Sequence, residues 1–133
     1  MTLFRYFAPL LLLTAGTADA KPAPRAAIVT ELMTKALADF PGKEALVVTV
    51  VYPPGSVDPV HRHNAHAFVY VLEGSIVMAV RGGKTVTLRA GQTFYEGPTD
   101  VHMIGRNASR TKPAKFLVVL LKGSHDPVAV PAN

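Results

Sequence analysis

Three histidines stand close together in the stretch HRHNAHAFVYVLEG, residues 61–74. His61 and His63 are two residues apart, so on extended backbone both side chains point to the same face of the strand. His66 follows three residues later, and His102 lies farther along the chain in FYEGPTDVHMIGRN. Neutral imidazoles gathered on one face form a nitrogen-rich pocket that suits a divalent transition metal. The spacing of these histidines therefore predicts a metal site.

The composition limits the ligands that such a metal can have. The chain contains no cysteine, which excludes thiolate ligands and disulfides, so nitrogen and oxygen atoms must hold the ion. Imidazole ligands favour Fe, Cu, Ni or Zn over Mg or Ca. The formal net charge is +5, but the 14 Lys and Arg residues are scattered without a basic run. This distribution argues against a nucleic-acid partner and favours solubility and a small-molecule ligand.

Short β-rich runs separated by glycine and proline surround the histidines. Several such runs at regular spacing predict an all-β sandwich or barrel. The pair Gly82-Gly83 between two alternating segments predicts a tight hairpin with positive φ at the turn. The predicted strands lie in ALVVTVVY, AFVYVLEG, SIVMAVRGG, KTVTLRAG, QTFYEGP, VHMIGRN and AKFLVVLLKG. The side chains expected in the core are Val69, Val71, Ile76, Met78, Val80, Val86, Leu88, Phe94, Ile104, Leu117, Val119 and Leu121.

The N-terminal residues have the pattern of an export signal. Arg5 precedes an apolar stretch, and the small residues at 18–20 resemble a cleavage site, so we expect cleavage after Ala20. The apolar residues 7–15 are too few for a membrane span, which needs about 20 residues. We therefore expect a periplasmic or secreted protein without a stable membrane anchor. An uncleaved N-terminal anchor is the alternative.

The rest of the chain is expected to form one domain. Residues 28–40 carry apolar side chains at helical spacing and predict a short helix that ends at Pro41. The stretch SHDPVAVPAN has two prolines and little periodicity, so we expect it to lie over the surface or to be loose. The expected organisation is a signal peptide at 1–20, a flexible leader at 21–27, a single domain at 28–123 and a C-terminal tail at 124–133.

Residues 55–107 resemble the cupin superfamily of small β-barrels. The first cupin motif is Gly, five residues, His-x-His, three or four residues, Glu, six residues, Gly. Gly55, His61, His63 and Gly74 match this motif at the expected distances. The resemblance implies a small cupin β-barrel, also called a double-stranded β-helix or jelly roll, with a short N-terminal helical or irregular segment.

The second cupin motif is matched less fully. It reads Gly, five residues, Pro-x-Gly, two residues, His, three residues, Asn, and Gly91 and His102 match it. Pro98 and Asn107 each fall one residue late, and Thr99 replaces the inner glycine. The resemblance also implies a homodimer, with the N-terminal segment or the long last strand at the interface.

The main departure from the cupin pattern is Ala67, which stands where the first motif has its carboxylate ligand. His66 immediately precedes it, and we expect a small bulge to turn His66 inward as a fourth ligand. The alternative is a site of three histidines completed by Glu96 or by water. The metal ligands predicted in this way are His61, His63, His66 and His102.

Two classes of function are compatible with these features. The cupin resemblance allows a metal-dependent enzyme that performs dioxygenation, isomerisation or decarboxylation of a small organic molecule. Tyr70, Tyr95 and Glu96 are the candidate proton carriers if they face the pocket. The second class is a non-catalytic module that binds a metal or a small ligand, and a weaker third possibility is an interaction protein that uses its sheet edges.

Overall fold

The structure is a computed structural model that describes residues 25–133, so the expected signal peptide and most of the expected leader lie outside the described residues. Every element in the described part is a β-strand, and no helix there has the length and hydropathy needed to cross a membrane. The strands are β1 (Ile28–Ala36), β2 (Lys43–Tyr52), β3 (His61–Arg62), β4 (Ala65–Glu73), β5 (Ser75–Val80), β6 (Val86–Arg89), β7 (Thr93–Glu96), β8 (His102–Asn107), β9 (Ala114–Gly123) and β10 (Val130–Pro131).

The strands form two five-stranded antiparallel sheets. The first sheet has the order β1-β2-β9-β4-β7, and the second has the order β10-β3-β8-β5-β6. Consecutive strands β3 and β4 belong to different sheets, and so do β6 and β7 and then β7 and β8, so the chain passes repeatedly from one sheet to the other. The all-β barrel expected from the spacing of the short runs is confirmed.

The core lies between the two sheets and is filled mainly by alternate residues of the strands, although β5 buries four consecutive residues and β1 buries none. On β4, for example, Ala67, Val69 and Val71 are buried, whereas Phe68 and Tyr70 between them are exposed. This alternation is what period-two geometry requires of a strand with one buried face. The buried core comprises Leu46, Val48, Val50, Tyr52, Ala65, Ala67, Val69, Val71, Ile76, Met78, Leu88, Ala114, Phe116, Val118 and Leu120.

The face of β9 that points inward differs from the sequence prediction. Phe116, Val118 and Leu120 are buried, whereas Leu117 and Val119, which were expected in the core together with Leu121, are only half-buried on the outer face. The sequence AKFLVVLLKG is apolar at both phases, so its pattern does not define which set of side chains faces inward. The prediction of a strand here was right, and its orientation was wrong.

The helix predicted over residues 28–40 is wrong. Residues 28–36 form β1, which pairs with β2 from Ile28 opposite Val51 to Ala36 opposite Glu44. The apolar side chains do recur at helical spacing, but pairing satisfies the backbone groups along the open edge of β2, and tertiary context overrides a weak local preference. All side chains of β1 are exposed, so no buried helical face exists for the periodicity to serve.

The last ten residues are more ordered than the sequence indicates. Val130 pairs with Arg62, Pro131 pairs with His61, and the side chain of Arg81 donates a hydrogen bond to the carbonyl oxygen of Asn133. The short strand β10 therefore closes one edge of the second sheet. Proline is tolerated there because β10 is an edge strand.

Candidate metal centre

The strand β3 and the start of β8 bring three of the predicted histidines together. His61 pairs directly with His102, and His63 follows the end of β3. The ring centroid of His61 lies 4.9 Å from those of both His63 and His102. One ring nitrogen from each residue lies within 4.8 Å of the others. We call these three residues the histidine cluster.

Backbone carbonyl groups orient two rings of the cluster. The Nδ1–H of His61 donates to the carbonyl oxygen of Pro59 at 2.8 Å, and the Nδ1–H of His63 donates to that of Val128. A neutral imidazole has one N–H, so each Nε2 atom keeps its lone pair, and the two Nε2 atoms lie only 3.3 Å apart. Histidines that bind metals typically donate their other ring N–H to a carbonyl in this way.

Burial favours the uncharged form of two histidines of the cluster, which is the form that binds a metal. Desolvation lowers the pKa of His63, and desolvation together with the proximity of His61 lowers the pKa of His102 to about 4. Both ring nitrogens of His102 are buried without a hydrogen-bond partner, although buried polar groups are nearly always bonded. Uncharged nitrogen donors with unused lone pairs fit a divalent transition metal.

Glu96 at the end of β7 lies beside the histidine cluster. Its side chain is only 3% exposed, and its Oε2 atom lies 3.4 Å from Nδ1 of His102 and 4.0 Å from Nε2 of His63. Oε2 has no hydrogen-bond partner. Burial, reinforced by the carboxylates of Asp100 and Asp58, raises the pKa of Glu96 to about 7. A carboxyl group and three imidazoles thus share one buried location.

His66 does not join the cluster, and the bulge expected to turn it inward does not form. The pairing of β4 with β9 is regular from Ala65 to Val71, so Ala67 points into the barrel and His66 points out. His66 is exposed, and its Nδ1 accepts a hydrogen bond from the Tyr95 hydroxyl at 2.7 Å. The structure therefore brings three of the four predicted ligands together and leaves His66 on the outer face.

Only one of the three candidate proton carriers faces the cluster. Tyr70 is 45% exposed and Tyr95 is 48% exposed, and both lie on the outer face of the first sheet. Each is next to an inward-pointing residue, so strand alternation directs its side chain outward. Glu96 is the candidate that lies inside the barrel.

Two polar residues that the sequence did not single out also face the interior. The hydroxyl of Tyr52, on β2, donates a hydrogen bond to the carboxylate of Asp58. Burial is the main cause that raises the pKa of both groups. A signal was present in the sequence, because Asp58 lies three residues before His61 inside the first cupin motif. Tyr52 ends an apolar strand and gave no such signal.

A cavity of about 390 Å³ extends from the cluster into the barrel. Its size is within the range of small-molecule sites. Most of its wall is apolar, and its polar side chains are those of the cluster, Glu96, Tyr52 and Asp58. In the described part of the chain, no Lys or Arg side chain lines the cavity. The segment 128–131 of the tail covers part of it.

The chain folds into two antiparallel sheets that enclose a histidine cluster. This arrangement is that of a double-stranded β-helix protein with a candidate metal centre. The family described as "Cupin domain" matches residues 48–120, which are more than half of the chain. The protein therefore belongs to the cupin family. No curated protein gives a significant match.

Several solved structures share this fold. An uncharacterized conserved protein with a double-stranded beta-helix domain from Klebsiella pneumoniae has a TM-score of 0.65 at 20% identity, over 85% of this chain and 90% of that one. DMSP lyase DddQ from Ruegeria pomeroyi has a TM-score of 0.58 at 22% identity, over 66% and 43%. Oxalate oxidase in complex with the substrate analogue glycolate has a TM-score of 0.60 at 25% identity, over 81% and 56%. The chain spans about half the length of these two enzymes.

Proposed function

We propose that this cupin is a metal-dependent enzyme that acts on a small, largely apolar organic molecule. One observation carries the proposal: ring nitrogen atoms of His61, His63 and His102 converge on the wall of a largely apolar cavity. A largely apolar wall lowers the local dielectric constant and so strengthens polar interactions at the metal. The enzymes that share the fold, a lyase and an oxidase, support a catalytic use of the barrel.

The ligand atoms narrow the choice of metal to Fe, Cu, Ni or Zn, held by His61, His63 and His102. When bound, such a metal polarises an oxygen atom of the substrate, and a redox-active metal also supports dioxygen chemistry. The reaction is of the dioxygenase, isomerase or decarboxylase type. The oxygen atom expected to face the metal belongs to a carbonyl, enol or carboxylate group.

The other polar side chains of the cavity orient the substrate. Tyr52 and Asp58 form a hydrogen-bonded pair at the cavity wall, where they can bind a hydroxyl or carbonyl group of the substrate. No cationic side chain lines the described cavity, so an anionic substrate would have only the metal as its counter-charge. A substrate with a single polar end and an apolar body fits this wall better than a dicarboxylate does.

The metal analysis is the first test. The protein is produced without a histidine tag, and its bound metals are measured by mass spectrometry beside His61→Ala, His102→Ala and His66→Ala. We expect a stoichiometric transition metal in the wild type and in His66→Ala, because His66 faces outward, and loss of the metal in the other two variants. Absence of metal from the wild type, even after reconstitution, would contradict the proposal.

The metal identity and its bound water then separate the two classes of function. Iron, copper or nickel with an exchangeable water ligand agrees with an enzyme and justifies a screen of oxidisable aromatics, enols and small carboxylates. A tetrahedral zinc with no exchangeable ligand is the signature of a structural site and would replace the enzyme by a non-catalytic metal-binding module.

We also propose that the protein is exported and forms a homodimer. Export is supported by the sequence of residues 1–20, which lie outside the described part of the chain. Dimer formation is supported by the outer face of the first sheet, where Phe68, Tyr70 and Leu72 are 40–47% exposed and lie beside half-buried Leu117 and Val119. Apolar side chains that are contiguous on a sheet face commonly mark a protein interface.

A further inference from the structure

Glu96 and Ala67 are direct partners across the strand pair β4 and β7. We propose that this cupin centre takes its carboxylate ligand from the partner strand: Glu96 on β7 binds the metal in place of a carboxylate at position 67 on β4. This inference rests on the proposed metal centre and names the ligand that completes it. It explains why an alanine at the usual ligand position does not leave the site without a carboxylate.

The register of the two strands makes the exchange geometrically possible. Ala67 is completely buried and Glu96 is 3% exposed, so both side chains point into the barrel. The Cβ atoms of direct partners in an antiparallel pair lie roughly 4.5–5.5 Å apart. The carboxylate of a glutamate extends from its Cβ atom over more than half of that distance. A carboxylate that starts from either strand can therefore reach the same point beside the cluster.

Three distances at the cluster fit ligands that share one metal. With metal–ligand bonds of about 2.1 Å, two ligand atoms lie roughly 3.0–3.4 Å apart at octahedral or tetrahedral angles and up to about 4.2 Å apart when opposite. Oε2 of Glu96 lies 3.4 Å from Nδ1 of His102 and 4.0 Å from Nε2 of His63. The two Nε2 atoms of His61 and His63 are 3.3 Å apart. All three separations fall in the expected range.

The hydrogen bonds around Glu96 leave its oxygen free for a metal. Oε2 is buried and bonded to nothing, and the same holds for both ring nitrogens of His102. Of the two nearby carboxylates, Asp58 accepts from Tyr52 through one oxygen and Asp100 accepts from the backbone N–H of Gly97 through one oxygen, and both side chains are less buried than Glu96. Glu96 is thus the buried carboxylate of the described site that keeps an unused oxygen next to the cluster.

A swap of the two side chains tests the proposal. The variants are Glu96→Ala, Glu96→Gln, and the double variant Ala67→Glu with Glu96→Ala, which restores a carboxylate from the other strand and keeps the summed side-chain volume of the pair. Glu73→Gln, at the exposed end of β4, is the matched control. Each protein is stripped with a chelator and titrated with Co²⁺, whose visible absorption reports the ligands and the coordination number.

We expect Glu96→Ala to weaken Co²⁺ binding by at least about 10- to 100-fold, the loss that follows removal of even an outer partner of a ligand. The Co²⁺ spectrum should change in both Glu96→Ala and Glu96→Gln. The double variant should recover most of the affinity and a spectrum like that of the wild type. Glu73→Gln should bind as the wild type does.

An unchanged affinity and spectrum in Glu96→Gln, together with loss of binding in His61→Ala, would overturn this inference and leave the metal centre standing. A weaker affinity with an unchanged Co²⁺ spectrum would also overturn it, because Glu96 would then only orient His102. Absence of Co²⁺ binding in the wild type would instead overturn the metal centre itself. Glu96→Gln keeps the size of the side chain, so the test remains valid if Glu96→Ala does not fold.

Discussion

Glu96 and His102 are both buried, and burial acts on their ionisation in opposite directions. Burial raises the pKa of Glu96 from 4.5 to about 7 and lowers that of His102 from 6.5 to about 4. In metal-free protein, burial disfavours the ionised carboxylate of Glu96, and this costs stability as pH rises above 4.5. Burial also disfavours the imidazolium of His102, and this costs stability as pH falls below 6.5. The contributions of these two groups to the pH dependence of stability therefore oppose each other between pH 4.5 and 6.5.

Glu96→Gln removes one of these effects. In the folded state Glu96 binds more protons than in the unfolded state, so its contribution to stability is lost as pH rises from 4.5 through 7. Glutamine does not ionise. After chelation, Glu96→Gln should gain stability over the wild type across this window, by on the order of 3 kcal/mol at pH 8. Urea unfolding at several pH values measures the gain, and a difference that does not change with pH would contradict it.

The spacing of the histidines was sufficient to predict most of the cluster. His61 and His63 share a strand face, and the cupin motifs supplied His102. The choice between His66 and Glu96 depended on whether β4 contains a bulge at that point, and sequence periodicity does not contain this information. Tyr52 and Asp58 could not be predicted as a pair, because their contact depends on how β2 packs against the loop before β3.

At the level of the elements, the C-terminal tail contributes to the candidate metal centre through the carbonyl group of Val128. Deletion of residues 127–133 removes the acceptor that orients His63 and also removes β10. We expect the metal affinity to fall by roughly 10- to 100-fold, as after the loss of other outer partners of metal ligands. Isothermal titration with Zn²⁺ measures the change. Deletion of residues 132–133 alone leaves Val128 and β10 in place and should have a much smaller effect.

The turn between β4 and β5 explains the last glycine of the first cupin motif. Gly74 has a φ of +71°, and a Cβ atom there would lie 2.7 Å from the carbonyl oxygen of Pro113. Gly82 has a similar φ of +75° but open space around it. Gly82→Ala should cost about 1–2 kcal/mol of folding stability from strain alone, and Gly74→Ala should cost roughly 1–3 kcal/mol more from overpacking. Equal losses in urea unfolding would show that the contact with Pro113 does not matter.

Most strands could be predicted from the sequence because glycine and proline separate them. The hairpin at Gly82 is an example, since β5 and β6 pair antiparallel around it and its φ is positive. The two failures have different physical origins. The sequence of β9 is an uninterrupted apolar run, so its pattern does not indicate which face is buried. The segment of β1 has a periodicity that favours a helix, but it pairs with the edge of β2 instead.

At the level of the whole molecule, the apolar outer face of the first sheet is the basis for the proposed homodimer. We expect a dimer by sedimentation velocity at micromolar concentration. Val119→Lys, near the centre of that face, should yield monomers because a charge would be buried at the interface. Thr87→Lys, on the exposed side of β6, should leave the dimer intact. A monomeric wild type would contradict the proposal.

The hydrogen bond from His63 to Val128 joins residues that are 65 positions apart in the chain. During synthesis, the ribosome must therefore add all of the intervening residues before the orientation of His63 is complete. A nascent chain that already contains every histidine of the cluster still lacks one of its determinants. Completion of the histidine cluster is therefore expected to be a late event in the folding of this chain.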